Sequence, residues 1–188
     1  MAGVPGVGKT TVLQELEAVA RKTKVPLNIV NFGDVMNQLF KKSGKKVHRD
    51  HMRRQHINLQ TRVQQQAARK ISKMRTRSTV VVDTHMFVRT IDGIWPGTPK
   101  RVLEAIHPDL IVLIEADPEE VARRRSADRT RERESKKVED VKADLEWSRY
   151  MASANAVLAG VPIQIVHNRE RHHREAAGDL LRLIGKLG

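Results

Sequence analysis

Gly3-Val4-Pro5-Gly6-Val7-Gly8-Lys9-Thr10 stands close to the start of the chain and fits G-x-x-x-x-G-K-[ST], the pattern of a phosphate-binding loop. The spacing has a physical reason. Gly6 and Gly8 allow backbone angles that turn successive N–H groups inward around a β-phosphate. Thr10 opens the following helix, whose positive end faces that phosphate. Lys9 can reach the β- and γ-oxygens, and the Thr10 hydroxyl can ligate Mg2+. An amphipathic run follows directly, with Val12, Leu13, Leu16, Val19 and Ala20 at helical spacing, so a chance glycine turn is the poorer reading. Gly3, Val4, Pro5, Gly6, Val7, Gly8, Lys9, Thr10 and the adjoining Thr11 are the expected contacts to nucleotide phosphates.

A loop of this kind follows a buried strand, yet only Met1 and Ala2 precede Gly3. The expectation is a truncated first strand in a natural chain that begins several residues upstream. The alternative is that Met1–Val4 supplies a vestigial strand. Downstream, short apolar runs alternate with helical stretches. Residues 26–31 (PLNIVN), 79–83 (TVVVD), 109–115 (DLIVLIE) and 162–167 (PIQIVH) read as strands, the β-branched ones buried on both faces. Helices are expected over 10–22, 34–42, 50–75, 118–125, 140–158 and 175–187, with Asp34 as an N-cap and Gly160 as a stop. Residues 92–99 (DGIWPGTP) read as a loop. Strands separated by helices imply parallel crossovers. The predicted class is therefore α/β, a P-loop NTPase with a doubly wound parallel sheet of about five strands flanked by helices.

The 188 residues fit one domain. Without cysteine, a disulfide scaffold and Cys-ligated zinc or Fe–S sites are excluded, and a reducing cytoplasm is the expected location. The longest charge-free stretch, 150–166, is too short and too polar to span a bilayer, so no membrane role is expected. The formal charge of +13 demands an anionic partner, either nucleic acid or a phosphorylated small molecule. Single, scattered aromatics at Phe32, Phe40, Phe87, Trp95, Trp147 and Tyr150 argue against a base-stacking platform.

Asp83 ends the VVV run, where a carboxylate faces the ligand crevice and could hold Mg2+ opposite Thr10. His85, two residues on, is expected as a packed or hydrogen-bonded neighbour. Positive charge concentrates in residues 41–54, 62–77 and 121–137, with net values of +6, +6 and +5. Most of these side chains are expected on solvated helix faces. Arg131 and Arg133, in a polar non-periodic segment, suit a lid carrying bidentate phosphate donors, and Arg89 and Arg149 could converge on the same crevice. His48, His51 and His56 sit among cations that would repel zinc. No Ser-His-Asp arrangement or kinase-type catalytic loop is present. Phosphoryl transfer to an already ionised phosphate needs only alignment and charge neutralisation, which suits a monophosphate acceptor.

With these residues in view, the sequence resembles the archaeal-type adenylate kinases along nearly its whole length. The resemblance rests on GVPGVGKTTVL (3–13), NFGDVM (31–36), RDHMR (49–53), VVDTH (81–85), VRT (88–90), WPGTP (95–99), LIEADP (113–118), DRTRER (128–133) and SRYMASANAVLAG (148–160). It implies reversible, Mg2+-dependent transfer from ATP to AMP giving two ADP, in a homo-oligomer that would be a trimer. It implies an AMP-binding segment over about 32–75 and a lid over about 119–138, with nucleic acid not expected as a partner. Asp34 and Arg53 would lie in the AMP segment, Arg89 would grip the AMP phosphate, and Lys9, Arg131, Arg133 and Arg149 would attend the transferring group. The lid is unusually rich in arginine at Arg123–Arg125 and Arg129. Two other readings stay open: a kinase for another monophosphate or for a small hydroxyl acceptor with Asp34 as base, and a basic nucleotide-dependent RNA- or ribosome-associated protein. If the loop is the phosphate site, Lys9→Ala abolishes transfer with little loss of fold. An unchanged kcat would remove that assignment.

Overall fold

Runs such as TVVVD and IVLIE leave no face suited to water, so they become inner strands covered on both sides. A computed structural model describes residues 1–42, 57–75, 78–90, 93–128 and 136–187. In chain order it contains α1 (Lys9–Lys22), β1 (Leu27–Asn31), α2 (Phe32–Lys42), α3 (Ile57–Ser72), β2 (Thr79–Asp83), β3 (Phe87–Thr90), β4 (Gly93–Pro96), α4 (Lys100–Ile106), β5 (Ile111–Glu115), α5 (Pro118–Ala127), α6 (Val138–Ala159), β6 (Ile163–His167) and α7 (His173–Gly185). β1 and β2 pair in parallel from Leu27↔Thr79 to Asn31↔Asp83. β5 and β6 pair in parallel from Ile111↔Ile163 to Glu115↔His167. The carboxyl ends Asn31, Asp83, Glu115 and His167 thus share one edge.

What joins the two pairs is the N-terminus. Ala2 bridges Thr84 on one side and Leu113 on the other, both in parallel sense. Its N–H donates to Val112 O at 2.8 Å and its carbonyl accepts from Ile114 N at 2.8 Å. Thr84 N donates to Met1 O at 3.1 Å, and the Met1 ammonium donates to Val82 O at 2.9 Å. Met1 and Ala2 therefore pair between β2 and β5, and the parallel α/β architecture stands.

Period-two alternation along β5 divides the core. Val112 and Ile114 face a cluster with Val12, Leu16, Val121, Leu145, Val166 and Leu180, under α1, α5 and α7. Ile111 and Leu113 face Ala2, Met86, Ala152 and Ala156, under α6. A third cluster of Phe32, Val35, Ala67, Ala68, Ile71 and Val102 seats α2, α3 and α4 against Val80 and Val82 of β2. Helices thus cover both faces, as a doubly wound sheet requires. No described helix is long and apolar enough to cross a membrane.

Three sequence readings need correction. Residues 93–96, read as loop, form β4, which pairs antiparallel with β3 from Phe87↔Pro96 to Thr90↔Gly93. The Gly and Pro that suggested a loop stand at the hairpin's margins: Gly93 has φ +110°, and Pro96, which has no N–H to give, ends the strand opposite Phe87, after which Gly97 N donates to Met86 O at 2.8 Å. α4, unassigned from sequence, follows directly. α2 starts at Phe32 and not at Asp34, because the Asn31 side chain accepts from Asp34 N at 3.0 Å and so caps the helix. Of the helix read over 50–75, α3 covers Ile57–Ser72, residues 73–75 are turn and not helix, and residues 50–56 lie outside the described residues.

The Met1 ammonium is enclosed between the strands, and burial lowers its pKa from 8.0 to about 6; Asp83 partly opposes this and Lys9 adds to it. An amine whose folded pKa lies below its unfolded value binds fewer protons when folded, so it favours folding at high pH and loses that contribution as pH falls. Between pH 8 and pH 6 this group is expected to remove about 2 kcal/mol of stability. Denaturant titrations at pH 6, 7 and 8 test this. Stability independent of pH across that window would show that the amine is not buried as described.

Candidate active site

The loop owes its shape to glycine at places where a side chain has no room. A Cβ on Gly3 would lie 2.7 Å from Ile114 O, and one on Gly8 would lie 2.4 Å from Asn168 Nδ2. Gly6 and Gly8 have φ of +96° and +81°, which L side chains rarely adopt. Val4 and Val7 are buried and pin the loop from inside. Gly8 is the N-cap of α1, which has no side-chain cap bond and no acidic residue in its first turn. The first-turn N–H groups have no intrahelical acceptor, so this helix end offers donors and positive potential to an anion. The contrast with α5 is direct. There Asp117 accepts from Glu119 N and Glu120 N, and a side-chain hydrogen bond with Glu119, followed by these backbone bonds, holds its carboxyl below the usual carboxylate range.

Lys9 extends from the loop to Asp83 at the end of β2, where its ammonium pairs with Oδ1. The other carboxylate oxygen accepts from Asn31 Nδ2 at 2.7 Å. The His85 ring donates from Nδ1 to Gly3 O at 3.1 Å, so it is the hydrogen-bonded neighbour expected from sequence. Thr10 and Thr11 are exposed in the first turn of α1, and Asp34 is exposed in the first turn of α2.

The arginines are held by carboxylates. Arg89 donates from Nε and Nη2 to Asp144 Oδ1 at 2.9 and 2.7 Å. Arg149 donates from Nε and Nη2 to the two oxygens of the buried Glu115 at 2.8 and 2.6 Å, and these bonds push its pKa further up. Arg53, Arg131 and Arg133 lie outside the described residues.

Several residues at the site were not singled out from sequence. Arg125, only 3% exposed, donates from Nε to Pro5 O at 2.9 Å and from Nη2 to Asp144 Oδ2 at 3.0 Å. Arg124 Nη1 reaches Gly6 O at 3.4 Å. Asn168, wholly buried just past β6, donates from Nδ2 to Val7 O at 2.7 Å and accepts at Oδ1 from the Nδ1–H of His173 at 2.7 Å. A polar residue just past the carboxyl end of the last strand was the available signal for Asn168, by the same reasoning that picked out Asp83. For Arg124 and Arg125 the Arg-rich run was noted, but helical spacing alone could not tell which members turn toward the loop.

Among the described residues no three His, Cys, Asp or Glu side chains cluster as a metal cage. The donor set at the loop is one carboxylate, Asp83, and one hydroxyl, Thr10. That set fits Mg2+, which keeps several waters and binds through one or two carboxylates together with substrate phosphates.

Comparison with known proteins agrees with this geometry. A family model described as an AAA domain matches residues 2–142. The adenylate kinase of Methanocaldococcus jannaschii is 38% identical over 98% of this chain and 96% of its own length. The adenylate kinases of Thermoplasma volcanium and Thermoplasma acidophilum are 38% and 39% identical, over 98% of this chain and 97% and 96% of their own. The chain belongs to the adenylate kinase family. Its fold is that of a P-loop kinase, with the glycine loop at the carboxyl edge of the parallel strands.

Within that family fold, Asn168 is the residue that fixes the loop's inner carbonyl. Asn168→Ala leaves Val7 O and the His173 ring without their partner, at a cost of about 2 kcal/mol of stability. The ATP KM is expected to rise several-fold while the AMP KM moves little. Thermal unfolding and steady-state kinetics check both; an unchanged ATP KM would show that the loop keeps its shape without this contact.

Proposed function

We propose that the chain catalyses reversible phosphoryl transfer from ATP to AMP, giving two ADP, with Mg2+. The observation that carries the reading is the uncapped end of α1 behind a glycine loop, with Lys9 at its edge, in a chain of the adenylate kinase family. The loop backbone and the first turn of α1, Gly3–Thr11, would hold the ATP phosphates. Lys9 would leave Asp83 for the β- and γ-oxygens, which frees the carboxylate. Bound between Asp83, the Thr10 hydroxyl and the phosphates, Mg2+ would supply neutralisation of charge on the polyphosphate.

Arg89 would take the AMP phosphate, and Asp34 and Arg53 would belong to the AMP-binding segment of about 32–75. Arg149, with Arg131 and Arg133 from a lid over about 119–138, would neutralise the group in transfer. The acceptor phosphate is already ionised, so alignment and charge neutralisation suffice and no base is required. Closure of the lid would exclude water and suppress idle hydrolysis of ATP. A cytoplasmic location suits a chain without cysteine.

We also infer a homo-oligomer, expected to be a trimer. In support, α6 exposes Trp147, Tyr150, Val157 and Leu158, an apolar stripe of the kind that copies of a chain cover.

The test is ADP formation from ATP with AMP, set beside CMP, UMP, GMP and small alcohols as acceptors. AMP is expected to give the highest kcat/KM by at least tenfold. A preferred hydroxyl acceptor would move the reading to Asp34 as base. No AMP-dependent turnover, together with retention of RNA at physiological salt, would replace it with the nucleic-acid reading.

A further inference from the structure

Asp144 is the meeting point of four segments. It sits buried on α6, and its carboxylate receives Arg89 from the β3–β4 hairpin and Arg125 from the last turn of α5. Arg125 in turn grips the Pro5 carbonyl of the phosphate loop. The two arginines differ in freedom. Arg125 is almost fully buried and anchored at both ends, so it cannot follow a ligand. The Arg89 side chain is about a third exposed, at 36%.

The contact to Arg89 is side-on. Both Nε and Nη2 converge on the single oxygen Oδ1, so Asp144 occupies one edge of the guanidinium and leaves the Nη1 hydrogens uncommitted to it. Two guanidiniums around one carboxylate also leave the cluster with one surplus positive charge. A carboxylate placed end-on across the fork would have to be displaced before a phosphate could bind. One placed side-on does not; it fixes the long side chain beforehand and so lowers the ordering cost of binding.

We propose that Asp144 is a positioning residue for the acceptor phosphate. It fixes Arg89 with its outer edge toward the crevice and ties that geometry, through Arg125 and Pro5 O, to the loop that takes the donor. The proposal rests on the reading of Arg89 as the ligand of the AMP phosphate, and the experiment separates the two.

Steady-state kinetics of Asp144→Asn, Arg89→Ala and the double variant form a cycle. Asp144→Asn is expected to raise the AMP KM about tenfold, the loss of one charge-assisted contact, with kcat changed far less. In the Arg89→Ala background the same substitution is expected to leave the AMP KM where Arg89→Ala alone put it. An equal further rise in that background would mean a merely structural role and overturn the proposal. A fall in the AMP KM would overturn it too, since Asp144 would then be a competitor for Arg89. If Arg89→Ala itself leaves the AMP KM unchanged, the reading of Arg89 fails, whatever Asp144 does. Should Asp144→Asn not fold, Arg89→Lys serves from the other side: it keeps the charge and loses the fork. A tenfold rise in AMP KM with kcat retained supports positioning, and a lysine that serves as well as arginine overturns it.

Discussion

Everything at the crevice depends on how the chain passes between β2 and β5. Ala2 is bonded through its N–H and C=O to Val112 and Ile114, and its neighbour Met1 accepts from Thr84. Those few backbone bonds do two things together. They join the two parallel pairs into one sheet, and they set the point at which the glycine loop leaves it. Because Gly3 has no room for a Cβ beside Ile114 O and Val7 is sealed in the core, the loop has no slack once Ala2 is placed. The start of α1 and the reach of Lys9 follow from that placement.

A second constraint is charge. The crevice brings cationic side chains into partly buried positions, and burying unpaired cations is costly. The fold answers with carboxylates set beside them: Asp83 beside Lys9, Asp144 beside Arg89 and Arg125, Glu115 beside Arg149. Two of the three end a strand at the carboxyl edge, and the third lies on α6. The long helix α6 carries both Asp144 and Arg149, so it serves each half of the site.

How much of this could be read from the sequence follows from the range of each interaction. The loop was legible because its chemistry is local: glycines, lysine and threonine act within one turn. β2 and β5 were legible because burial on both faces forces a continuous β-branched run. The hairpin β3–β4 was hidden, since Gly93 and Pro96 mark loops and hairpin margins alike. The partners of Arg89 and Arg149 were hidden for another reason. Asp144 lies 55 positions from Arg89, and Glu115 lies 34 from Arg149, so pattern within a helix or strand carries no trace of the pairing. Asn168 shows the intermediate case, within reach of a rule of strand ends that was not applied to it, and paired across 161 positions.

The paired state of these cations bears on what the crevice will hold. Because Lys9 and Asp83 already satisfy one another, an incoming anion exchanges with a resident one and does not settle into a bare positive hole. Binding then resembles ion exchange on a resin whose counterions are bolted to the frame. A lone inorganic phosphate offers too few contacts to make the exchange worthwhile. A polyphosphate that engages the loop N–H groups, the helix end and Lys9 at once can offset the separation of the pair. The crevice is thereby selective for chain-like phosphates over the simple anions abundant around any protein, and it gains that selectivity from the site's own carboxylates.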